Sequence, residues 1–145
     1  MNPSERNVYV PLAGPPQVDR PNSEIFQVVG EENIFRMIED FYYALEQSSI
    51  RHLFPADMQD SSRKSAAFFV GLLGGPPRYH ERYGNPALRA RHLPFRIDDE
   101  ARKTWLECFD RVLDEATQKY GFPSEHLPGF RHWLHEFSRW MMNTK

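Results

Sequence analysis

A single cysteine, Cys108, stands in 145 residues, which excludes an intramolecular disulfide framework and fits a reducing cytoplasm. No apolar run approaches the roughly 18 residues of a membrane span, and the N-terminus lacks a signal-peptide apolar region. Neither sign of charge is in excess. Lys and Arg number 18 against 20 Asp and Glu, a formal charge of −2, so no general attraction to nucleic acid follows. Walker-type and GxGxxG phosphate loops are missing, as are CxxC and HExxH. No stretch alternates with the period of two that a half-buried strand needs. These absences leave an all-α chain, long enough for one domain with a single sizeable core.

Rings are what the chain has in quantity: 11 Phe, 6 Tyr and 3 Trp, 14% of all residues. A small helical protein rarely needs that much ring surface for its own core, and the surplus points to a cavity for a flat apolar ligand.

Residues 1–22 carry Pro3, Pro11, Pro15, Pro16 and Pro21 and read as an extended arm without a core of its own, latched by Tyr9, Val10 and Leu12. The globular domain is expected over residues 23–145, with Ser23 capping a short first helix. Glu31 to Gln47 reads as an amphipathic helix with Ile34, Ile38, Phe41, Tyr42 and Leu45 on one face. Tyr42 therefore points its hydroxyl inward, where it needs a partner. After a corner at Phe54-Pro55, Asp60 or Ser61 caps a helix running to Leu73. Its inward stripe is Ser61, Ser65, Phe68, Phe69, Leu72 and Leu73. Two serines one turn apart serve either close helix packing or a polar patch facing a ligand. Gly74-Gly75-Pro76-Pro77 ends that helix, and about a dozen irregular residues lead to a short turn carrying His92. A loop of that length inside a compact helical chain is usually functional. Asp98, Asp99 and Glu100 open the next helix, whose stripe is Trp105, Cys108, Phe109, Val112, Leu113 and Ala116, ending at Gly121-Phe122-Pro123. The last helix starts at Ser124 or Pro128 and repeats Phe130, Trp133, Leu134, Phe137 and Met141.

His132 and His135, three apart on that last helix, have a metal-holding spacing but read as a solvated face. Arg78, Arg82, Arg89, Arg91 and Arg96 with interleaved rings hint at nucleic acid, yet suit local pairing with a small ligand's anionic groups better. His92 differs by its setting. An imidazole, cationic arms and an aromatic pocket are together what haem requires, with rings such as Phe68, Phe69 and Phe95 expected to bury the macrocycle.

The segments Phe41-Tyr42, Phe54-Pro55, Leu73 to Tyr79, Arg82 to Pro86, Leu88 to Phe95 and Ala101 to Cys108 resemble the signature of group II truncated haemoglobins. The likeness runs from about Val28 to the end of the chain and is most specific around the central loop. It implies a two-over-two helical sandwich holding haem b. It further implies His92 as proximal iron ligand, Arg91, Tyr79 and Lys64 as propionate contacts, and Phe54 as a ring on the haem face. Trp105 and Tyr42 match the distal donors, and Ser61 and Ser65 the two distal-helix positions. The connection from Tyr42 to Phe54 is one residue shorter than the family pattern, which leaves adjacent Tyr43 as the alternative inward tyrosine. The Pro-rich arm has no counterpart in that pattern. The expected function is binding of O₂, CO or NO at the iron, for oxygen or redox chemistry or sensing rather than bulk transport. NO dioxygenation or peroxidase-like turnover with a separate reductase is one alternative, and a haem-free regulatory module another. The expected state is a cytoplasmic monomer or homodimer.

Overall fold

The computed structural model describes residues 8–145. Among them are eight α-helices and no strand: α1 (Glu24–Val29), α2 (Glu31–Glu46), α3 (Met58–Leu72), α4 (Arg78–Tyr83), α5 (Leu88–His92), α6 (Asp99–Asp114), α7 (Ala116–Tyr120) and α8 (Leu127–Met141). α2 packs on α3, α6 packs on α8, and α2 lies against α6, which is a two-over-two helical sandwich. Helical spacing explains the pairings. Ile34, Met37, Ile38, Phe41 and Leu45 of α2 are buried along one face, and so are Phe130, Leu134 and Met141 of α8. Phe109 of α6 sits at the centre, its ring centroid 4.1 Å from Phe41, 5.5 Å from Phe69 and 5.8 Å from Phe130. Burying one such ring stabilises the fold by about 1.5–3 kcal/mol.

The helix starts differ in detail from those expected. Asp57, not Asp60 or Ser61, caps α3 by accepting the Asp60 N–H at 3.0 Å, so α3 begins earlier. The Ser23 side chain makes no cap bond; Asn22 Oδ1 accepts the Glu24 N–H at 2.8 Å instead. Asp98 caps α6 through the Ala101 N–H at 2.9 Å, as its sequence position suggested. The long helix expected from Asp98 to Gly121 is broken at Glu115. The break brings Tyr120 into a hydrogen bond with Asp40 of α2.

The central segment is also more ordered than its composition indicates. α4 forms where irregular chain was expected, fixed by buried Tyr79 and by an Arg78–Glu31 ion pair at 2.9 Å. Gly74 is required at the preceding corner. Its φ is +107°, and a Cβ there would lie 2.1 Å from the Ser23 carbonyl oxygen.

Among the arm residues, Pro11 and Pro21 are buried, while Val10 and Leu12, expected to latch it, are exposed. Hydrogen bonds to the arm's main chain hold it instead: the Tyr9 N–H donates to the Asn143 carbonyl at 2.9 Å, and the Arg139 guanidinium donates to the Gly14 carbonyl at 3.1 Å.

Candidate functional site

Between the two helix pairs lies a cavity of about 380 Å³. Every site residue named from the sequence lines it: Tyr42, Phe54, Ser61, Lys64, Ser65, Phe68, Phe69, Tyr79, Arg91, His92, Phe95 and Trp105. The two tyrosine alternatives are resolved by exposure. Tyr43 is 67% exposed, whereas Tyr42 faces the cavity.

The side chains enter from separate elements. α2 delivers Tyr42, whose ring meets Phe41 and Phe54 edge-on at 5.6 and 5.9 Å. Burial pushes its phenol pKa up, partly offset by a hydrogen bond with Ser65 of α3. α6 delivers Trp105, set edge-on against Phe41 and Phe109, each 5.4 Å away. Its indole N–H donates and cannot accept; a tyrosine or serine hydroxyl does either.

α5 delivers His92 from the other side. Its Nδ1 lies 2.6 Å from the Leu88 carbonyl oxygen. A carbonyl only accepts, so Nδ1 carries the proton and the Nε2 lone pair is left for a ligand. Burial depresses the imidazole pKa, and the Leu88 bond opposes that shift. Burial is the larger of the two and favours the neutral form, while the Leu88 bond directs the ring.

Cations gather at the cavity edge. Arg91 Cζ stands 5.8 Å from the Tyr79 ring centroid while Nη2 donates to the Asn85 carbonyl at 2.9 Å. Lys64 pairs with Asp60 at 3.0 Å and is exposed. The other arginines go elsewhere: Arg78 pairs with Glu31 and Glu81, and Arg89 binds backbone carbonyls. His132 and His135 are exposed, and no cluster of three or more His, Cys, Asp or Glu that could hold a metal occurs among the described residues.

Several lining residues were not singled out from the sequence, among them Leu88, Ile97, Arg102, Phe137 and Met141. Phe137 and Met141 were read as core because they continue the apolar stripe of α8. A stripe facing a cavity and a stripe facing another helix have the same periodicity. Arg102 is drawn in by Ser138, whose hydroxyl accepts its Nε–H at 3.1 Å.

A helical sandwich with one directed imidazole and an aromatic cavity defines a globin of the truncated type. The bacterial-like globin family matches residues 24–143, and the chain belongs to that family. It is 38% identical over 92 residues to the group 2 truncated haemoglobin YjbI of Bacillus subtilis, 63% of this chain and 70% of that protein. Among solved structures it is similar to the group II truncated haemoglobin of Bacillus anthracis. That match has a TM-score of 0.76 and 30% identity, and covers 87% of this chain and 95% of the other. It is also similar to the truncated oxygen-avid haemoglobin of Bacillus subtilis, with a TM-score of 0.74, 34% identity and 81% and 98% coverage. The chain spans just over half the length of one plant relative, the two-on-two haemoglobin-3 of Arabidopsis thaliana, at 56%. Family membership implies haem-based binding of small gaseous ligands. The lining is of residue types that suit that group: an imidazole, apolar rings and cations at the edge. No helix among the described residues is long and apolar enough to cross a membrane.

Proposed function

We propose that His92 Nε2 is the axial ligand of a b-type haem in this cavity and that O₂ is the principal ligand taken on the opposite face. The bond between His92 Nδ1 and the Leu88 carbonyl at 2.6 Å carries the proposal. It fixes the tautomer and leaves Nε2 as the coordinating atom. When bound, haem iron supplies an open coordination position for O₂, CO or NO. Arg91, Lys64 and Tyr79 line the cavity where they would neutralise and hydrogen-bond the propionates, and Phe54, Phe68, Phe69 and Phe95 would exclude water from the ring faces.

On the ligand side, Trp105 and Tyr42 supply polar hydrogens, and Ser65 orients the Tyr42 hydroxyl. Such donors, held on helices in a low-dielectric cavity, favour a ligand that carries partial negative charge. The donor count favours slow release of O₂ and a role in redox chemistry or sensing, with any reductase a separate partner. The oxygen-avid Bacillus subtilis neighbour is consistent with that reading.

Absorption spectra of the haem-loaded protein in ferric, ferrous and ferrous-CO forms test it, with His92→Gly measured with and without added imidazole. The variant is expected to lose stable haem and regain it with imidazole. Full haem content and an unchanged ferrous spectrum in His92→Gly would remove His92 from its role.

A further inference from the structure

α5 carries His92 yet contains little that would hold it in place. It is five residues long, follows a left-handed Ala87 with φ 39°, has no side-chain cap and has no residue more than partly covered. A helix so short has no stability of its own. Its position has to come from side chains outside it or projecting from it.

Besides Arg91, which reaches back to the Asn85 carbonyl, two side chains tie it to the rest of the fold, one at each end. Arg89 leaves the helix towards the C-terminal end of α8. It donates to the carbonyls of Met142 and Tyr9, each at 2.9 Å, and of Trp140, over whose ring it stacks at 4.5 Å. Beyond the other end lies Asn143, only 1% exposed. Its Nδ2 donates to the carbonyls of His92 at 3.2 Å and Phe95 at 2.9 Å. Its Oδ1 accepts the Ile97 N–H at 3.0 Å, and its own backbone N–H donates to the Ile97 carbonyl at 3.0 Å. One buried amide thus fixes the backbone from His92 to Ile97.

We propose that Asn143 is a positioning residue for the His92 imidazole, setting the direction in which Nε2 enters the cavity. The inference rests on the reading of His92 as iron ligand. The imidazole is tied through Nδ1 to Leu88, inside the same short helix, so the ring turns only as α5 turns. Asn143 sets how α5 lies against the cavity, and through it the strain and strength of the bond that His92 makes to iron.

The test is the iron–imidazole stretching band in resonance Raman spectra of the ferrous, haem-loaded protein. It is recorded for the wild type, Asn143→Ala and Asn143→Asp, and for each variant combined with His92→Gly plus imidazole. Aspartate keeps an acceptor for the Ile97 N–H while losing both donors, so it serves should the alanine variant fail to accumulate. Both variants are expected to shift and broaden the band when His92 is present. In the His92→Gly background with imidazole, the shift should vanish, because a free imidazole is not tied to α5. An unmoved band in the Asn143 variants, with His92→Gly still dependent on imidazole, overturns the inference alone. A shift that persists with free imidazole also overturns it, since Asn143 then acts on the haem pocket and not through His92. A wild-type band in His92→Gly without imidazole overturns the ligand assignment itself.

Discussion

The Ser65 hydroxyl of α3 is the polar neighbour of the Tyr42 phenol of α2 at the wall of the cavity. This pairing separates Ser65 from Ser61, which lines the same cavity one turn earlier. Ser65 favours the ionised phenol, while burial opposes it more strongly. Ser65→Ala should therefore raise the Tyr42 pKa further, by the sign of the interaction removed. Tyrosinate absorbance followed against a Tyr42→Phe control gives the shift. The CO stretching band of the haem-loaded protein should move with it, because the phenol hydroxyl loses its orienting partner. A Ser65→Ala protein with an unmoved CO band would mean that the serine serves packing alone.

Gly74 bears on the fold rather than the chemistry. With φ at +107° and the Ser23 carbonyl 2.1 Å from any Cβ, Gly74→Ala combines backbone strain with a clash against main chain. The expected loss is about 3 kcal/mol or more. Gly121 also has positive φ, at +72°, but open space around its Cβ position. Gly121→Ala should cost only about 1–2 kcal/mol. Urea denaturation of the two variants compares clash plus strain with strain alone.

Tyr120 gives an alkaline signature. Its buried hydroxyl donates to Asp40, and burial, then that bond, push its pKa far above the ordinary value. The unfolded chain releases this proton near pH 10 while the folded chain keeps it, so folding binds the extra proton. Stability conferred by Tyr120 is complete below about pH 10 and falls as pH rises beyond it. Tyr120→Phe should be less stable than wild type at pH 7, and the gap should narrow above about pH 10. Thermal unfolding of both proteins across that range reads the difference.

The residues that made the fold legible are those whose spacing has one interpretation. Ile34, Ile38, Phe41 and Leu45 read as the buried face of α2 and are buried. α4 was not legible, because Arg78–Tyr83 is too short for a period to show. It depends on Arg78 reaching Glu31, 47 residues away. The break at Glu115 was equally silent, since Ala116 and Tyr120 continue the apolar pattern whether or not the helix is interrupted. At the site, residue types and the loop pointed to His92, the arginines and a surplus of rings, while the resemblance to truncated haemoglobins supplied most of the other named side chains that line the cavity. Asn143 escaped notice for a different reason. A single asparagine has no periodicity, and the three residues of the His92–Ile97 stretch that its side chain binds are 46 to 51 positions away.

The two side chains proposed as distal donors differ in how firmly they are held, and that difference orders their expected effects. Trp105 projects from the middle of the sixteen-residue α6. Its indole is wedged against Phe41 and Phe109 at 5.4 Å and tilted against Phe137 at 6.2 Å. Little ordering entropy remains to be lost when a ligand accepts its N–H. Tyr42 has ring contacts with Phe41 and Phe54, but its hydroxyl rotates and is shared with Ser65. A bound ligand must therefore compete with Ser65 for it. Trp105→Phe should raise the O₂ dissociation rate of the haem-loaded protein about ten- to a hundredfold, or roughly 1.4–2.7 kcal/mol. Tyr42→Phe should do less, and the double variant should deviate from additivity because both groups meet one ligand. Stopped-flow O₂ dissociation on the three proteins provides the measurement. A silent Trp105→Phe would show that the indole does not reach the ligand, leaving Tyr42 and the serines as the distal donors.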